Sequence, residues 1–160
     1  MDPVIAPSAQ LYALTTSRFD KALEGLTDDD ARKRLTDDST PVIWIVGHMT
    51  TTRCNLLAML GRPVEHPWGD QFGRGSKVGD GTEFPPLADL VVKWREADEA
   101  LKQRLEELTG EELSAAAPRD FPIEDKTLRG AINFLAFHDV YHFGQMALLK
   151  KCLGQGSLVG

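Results

Sequence analysis

Nothing in the 160 residues is both long enough and apolar enough to cross a bilayer as a helix. An excess of positive charge is missing too: 18 Lys and Arg stand against 24 Asp and Glu, for a net charge of -6. That balance argues against general nucleic-acid binding, which needs a basic footprint. Cysteine is scarce. Cys54 and Cys152 both fall in predicted helices, and both read as reduced core residues of a cytosolic protein rather than as a disulfide. The start, Met1 to Pro7, lacks a basic opening and a long apolar stretch, so no signal peptide is expected and the cytoplasm is the expected location. No segment alternates apolar and polar residues as a strand does, and no repeat is visible.

What is present is helical. The length suits one domain over 1–160, and the hydrophobic content of 42% is that of an ordinary globular protein with a full core. A first helix is predicted from about Ser8 to Leu26, with Leu11, Leu14, Ala22 and Leu23 among its apolar positions. Thr27 then caps a short helix through Arg32 to Leu35, with Asp28, Asp29 and Asp30 at its positive end. The three aspartates are not a calcium loop, because the spaced oxygen ligands, the turn glycine and the closing glutamate are missing.

Thr40 as cap and Pro41 as first helical residue open a second long helix, which runs to Leu60 and stops at Gly61. Its inward stripe is Trp44, His48, Thr51, Asn55 and Ala58. Gly47, beside His48, leaves room for another backbone or side chain to come close. Residues 62–86 form a long connection rich in Gly, Pro and charge, the kind of loop that is often functional. Its glycines do not match a phosphate-binding loop, and His66 within it is expected to be exposed and not a ligand. Pro85-Pro86 opens a third long helix with the stripe Leu87, Leu90, Val91, Trp94, Ala97, Leu101, Leu105 and Leu108, ended by Thr109-Gly110. Thr127 caps the last helix and Gly154 closes it. The fold class that follows is all-α, a four-helix bundle with a long connection between its second and third long helices.

The last helix carries the chemistry. Leu128, Ala131, Leu135, His138, His142, Gln145, Leu149 and Cys152 step by three and four, the seam of a bundled helix. Two histidines and a glutamine stand where leucines are expected. Four residues is about 40° of helix rotation, so His138 and His142 share one face. Two neutral imidazoles side by side each present a bare nitrogen, which hydrogen bonds or a divalent metal would satisfy. His48 on the second helix would make a three-nitrogen site at mid-bundle, with a position left open for water or substrate. A di-iron carboxylate centre is the competing reading, and the absence of any acidic residue from Val42 to Leu60 argues against it. Thr51, Asn55 and Gln145 share the inward stripes and are candidates to orient the imidazoles or to bind substrate. Arg53 reads as salt-bridged or as an anchor for an anionic substrate. Asp139 and Tyr141 are turned about 100° per residue away from the ligands and receive no role.

Trp44-x3-His48 early in one helix, followed by His138-x3-His142-x2-Gln145 in a last helix ending Leu-Gly, resembles the DinB/YfiT-like family. The segment Gly25-Leu-Thr-Asp-Asp-Asp is similar to the family's usual connection before the second long helix. The resemblance implies a four-helix bundle, often a homodimer, with a divalent metal at the triad. Zinc or nickel comes first, with iron and manganese as alternatives. It further implies an enzyme acting on a small-molecule substrate; the lack of a long apolar run separately argues against a membrane partner. The metal would activate a low-molecular-weight thiol for transfer to a small electrophile, or water for hydrolysis. The alternative is a non-catalytic, stress-associated bundle whose metal stabilises the fold.

Overall fold

The computed structural model describes residues 1–76, 78 and 81–158. Among them are four long helices, α1 (Ala6–Leu23), α3 (Val42–Met59), α4 (Leu87–Glu107) and α6 (Leu128–Cys152), and two short ones, α2 (Asp28–Arg32) and α5 (Gly110–Ser114). The long four make the bundle: α3 packs on α4 and on α6, and α1 packs on α6. Among the described residues no helix is long and apolar enough to cross a membrane.

The helix termini explain themselves locally, with three departures from expectation. Thr27 and Asp30 form a reciprocal capping box at the start of α2, and the backbone turns extended at Lys33 (ψ 135°), so the helix is over by Arg32 instead of continuing to Leu35. It then ties itself to α4: the Asp28 carboxylate accepts from the Leu87 backbone N–H at 2.7 Å, capping a helix whose own N-cap is Pro86. At α3 the capping position is held by Pro41 itself, at ψ 157°, and Thr40 makes no cap. At the end of α4, Thr109 does more than terminate: with Glu112 it builds a second capping box that opens α5.

α1 starts and ends a little earlier than its periodicity suggests, and its buried face differs. Ser8, Tyr12, Thr15, Phe19 and Ala22 point inward, while Leu11 and Leu14 face solvent. The reason is polar. Thr15 and Tyr12 face a buried charge cluster, so the inner side of α1 is not its most apolar side. Cys152 is also exposed, whereas Cys54 is buried, so only one of the two cysteines is a core residue.

That charge cluster divides the core. Arg53 of α3 is 1% exposed and donates to the Asp139 carboxylate of α6 at 2.6 Å; Asp139 is 1% exposed as well. A second donation goes to Asp98 of α4, and the Thr15 hydroxyl donates to Asp139 at 2.9 Å. The guanidinium lies over the Trp94 ring, 4.4 Å from its centroid. Burial alone would push Arg53 toward neutrality, but the Asp139 and Asp98 charges reverse this and its pKa is raised. One apolar cluster, around Leu56, Leu57, Leu101, Leu105, Ile132 and Leu135, lies on one side of this layer. The other, around Phe19, Ile43, Val46, Met49, Leu90 and Met146, lies on the other side. Arg53 is thus a structural ion-pair residue, not a substrate anchor.

Candidate metal centre

α3 is buried nearly all round: 14 of its 18 residues are inside. The stripe Trp44, His48, Thr51 and Asn55 is its open side, facing a cleft of about 780 Å³ between α3, α6 and the loops before α4 and α6. Asn55 and Ala58 are exposed, so the stripe expected to face the core faces this cleft and then solvent. His138 and His142 reach the same cleft from α6.

The three imidazoles converge. His138 Nε2 lies 3.2 Å from His48 Nε2 and 3.1 Å from His142 Nε2. Their outer nitrogens explain the orientation. His48 Nδ1 is 2.6 Å from the carbonyl oxygen of Phe72, which can only accept, so Nδ1 holds the proton and Nε2 is bare. His142 Nδ1 donates to Gln145 Oε1 at 2.7 Å, leaving its Nε2 bare too. Gln145 in turn donates its amide to the Tyr141 hydroxyl at 3.2 Å. A proton on His138 Nε2 could serve one of these neighbours and not both. A single divalent cation would satisfy all three, and tetrahedral coordination at about 2.0–2.1 Å implies nitrogens about 3.3 Å apart, close to the spacings seen. The donor set therefore fits such an ion, with one ligand nitrogen from each ring within 4.8 Å of the other two.

The electrostatics keep the rings neutral. Burial lowers the pKa of all three, and the hydrogen bonds to Phe72 and Gln145 only partly offset it at His48 and His142. His138 is pushed down to about 4, by burial first and then by the neighbouring His142 and His48. Neutral imidazole is the ligand form.

Of the three residues considered as supports, Gln145 alone is hydrogen-bonded to a triad ring among the described residues. The Thr51 hydroxyl donates to the Gly47 carbonyl of its own helix at 2.9 Å, and Asn55 stands exposed on the cleft wall. The sequence reading missed Phe72, Tyr141 and Asp139. Tyr141 is four residues before Gln145, so an i, i+4 pairing was there to be seen. Phe72 comes from the long loop, which folds through a 3-10 turn (Gly69–Phe72) back onto α3. His66 rides with it: it is half-buried behind the Phe72 ring, stacked at 6.3 Å, and not exposed as expected. It is not in the convergent group.

Gly47 is what lets Phe72 in. A Cβ there would sit 2.5 Å from the Phe72 ring, and that ring is fully buried. Gly47→Ala is therefore expected to lower stability by about 1–3 kcal/mol through overpacking. It should also loosen divalent-metal affinity by at least about tenfold, because the carbonyl holding His48 must move. Chelator competition and thermal unfolding measure the two effects; unchanged metal affinity would show that Phe72 does not position His48.

Neither cysteine can act here. Burial pushes the Cys54 thiol up to about 11, and Cys152 is ten residues beyond His142, about 15 Å along the helix. Among curated proteins none matches the chain. The family model of the DinB superfamily matches residues 11–146, a span that holds His48, His138 and His142, and the chain belongs to that superfamily.

Proposed function

We propose that the protein is a metal-dependent enzyme in which His48, His138 and His142 hold one zinc or nickel ion at the wall of the cleft. The observation that carries this is the meeting of three Nε2 atoms, two of them bare by their outer hydrogen bonds, beside a cavity large enough for a small substrate. A divalent ion held by neutral ligands lowers the pKa of a thiol or water that reaches it. The chain's own residues orient and enclose. Phe72 and Gln145 fix the tautomers of two rings. Trp44 stacks flat on His48 at 4.7 Å, and Tyr141 sets its ring edge against His142 at 5.1 Å. Both rings line the cleft beside the triad. Since neither cysteine is available, a nucleophilic thiol has to arrive as a cosubstrate of low molecular weight; water would make the reaction a hydrolysis.

The test is elemental analysis of protein purified without a chelating tag, joined to turnover. Bacillithiol, mycothiol, glutathione and cysteine would each be offered with a chlorinated aromatic electrophile, and simple esters with water. One metal per chain and turnover that is lost with chelator and regained with metal is the expected result. Bound metal with no turnover for any pair would leave the non-catalytic bundle as the reading.

A further inference from the structure

The cleft has a charge pattern that a metal site alone does not require. Its charged lining, besides the three histidines, is Arg74, Arg119 and Asp120. Asp120 pairs with Lys126 at 2.6 Å. Neither Arg74 nor Arg119 has an ion-pair partner among the described residues. Two uncompensated guanidinium groups therefore face one cavity, in a chain whose net charge is -6.

Arg119 is also held in place. Its guanidinium lies over the ring of Phe121, 4.8 Å from the centroid, and Phe121 lines the same cleft. The charge is near enough to the triad to depress His138 further. Beside it the walls are flat and apolar, made by Trp44, Phe121, Phe134, Leu135 and Tyr141. A planar fork of donors at the edge of an aromatic slot suits a planar anion attached to an apolar body.

We propose that the cleft takes a small organic carboxylate with a flat apolar body, its carboxylate held by Arg119 with Arg74 as the second cation and its body between the aromatic walls. This rests on the proposed function for the reaction performed there, but the binding itself needs only the chain's own residues. Carboxylate recognition places the apolar body against Trp44 and Tyr141, next to the triad, and leaves the histidine side of the cleft for the second reactant. A neutral amide of the same shape loses the charge-assisted, two-point pairing with the guanidinium, retains at most a single neutral hydrogen bond through its carbonyl oxygen, and keeps the wall contacts.

The experiment compares 2-naphthoate with its neutral amide, 2-naphthamide, by calorimetric titration into metal-free and zinc-loaded full-length protein. The metal-free arm matters because zinc itself attracts carboxylates. In metal-free protein 2-naphthoate is expected to bind at least about tenfold more tightly than the amide, with a preference that weakens as salt rises. Arg119→Gln should remove most of that preference while changing amide binding by less than about twofold. Arg119→Lys, which keeps the charge and loses the fork, should restore part of it. Arg119 is exposed, so these variants should fold. Equal binding of acid and amide, or an acid affinity unchanged in Arg119→Gln, overturns the proposal even if zinc binds. A surviving acid preference in a protein that takes up no zinc leaves the proposal standing and removes the metal reading.

Discussion

Arg53→Met is expected to lower the free energy of unfolding by about 3–5 kcal/mol, the cost of leaving a buried charge without its partner. Both members of the Arg53–Asp139 pair are 1% exposed and the bond between them is 2.6 Å. Methionine fills much of the volume but leaves the Asp139 carboxylate in the core with Thr15 as its remaining donor, and strips Asp98 of its guanidinium. The stacking of the guanidinium on Trp94 goes as well. Loss on this scale is a large fraction of the stability of a domain this size. The sharper test is the double variant Arg53→Met with Asp139→Leu. Buried ion pairs replaced by apolar residues often return to the stability of the parent, so the second substitution should recover the part of the loss that comes from stranding Asp139, while Asp98 stays without its guanidinium. Urea unfolding followed by circular dichroism gives both numbers. A single variant within about 1 kcal/mol of wild type would mean that water or a rearranged partner already satisfies Asp139.

The second large effect is at the triad. His142→Ala should reduce bound metal from one ion per chain to almost none, while the fold survives. Removing one of three ligands leaves two nitrogens and destroys the convergence described above. The fold does not depend on it, because two apolar clusters carry the burial and each fully buried aliphatic chain contributes roughly 1.5–3 kcal/mol. The contrast appears on titration with zinc. Wild-type stability should rise by about 4 kcal/mol at a thousandfold excess over the dissociation constant, and the variant's should not move. An equal rise in the variant would place the metal elsewhere.

Acid should act on the wild type in a definite direction. An unfolded chain protonates its histidines below about pH 6.5, whereas folded His138 stays neutral down to about 4. Its neutral state therefore supports the metal-free fold fully above about pH 6.5, and that support is lost progressively as pH falls toward 4.

Much of the site was legible in the sequence because helical spacing puts His138, His142 and Gln145 on one face whatever surrounds them. Gly47 was legible for a similar reason: a glycine beside a histidine in mid-helix marks an approach, although not what approaches. The failures have a common cause. α3 is covered on so many sides that its periodicity carries little information, and Asn55 and Ala58 were placed inward when they line the open side. Asp139 is one residue from a ligand, and 100° of rotation aims it at Thr15 of α1 and Arg53 of α3 instead. Its partners Arg53 and Thr15 lie 86 and 124 residues away in sequence, and no local pattern joins them. Leu11 and Leu14 misled for the same reason, since the inner face of α1 is chosen by that buried charge and not by hydrophobicity alone.

The charged layer also works as a vernier for the bundle. Apolar side chains tolerate sliding: a leucine shifted along its neighbour finds other leucines. Arg53 does not. It must meet Asp98 on α4 and Asp139 on α6 together, and a slip of one helical turn, about 5.4 Å, would strand all three charges. Arg53 is five residues after His48 on α3, and Asp139 is the residue after His138 on α6. The lock between α3 and α6 thus lies about 7.5 Å from the imidazole along α3 and one residue from it on α6, so a slip that broke the ion pair would also part the three nitrogens, and their spacing is calibrated from another face of the helices that carry them.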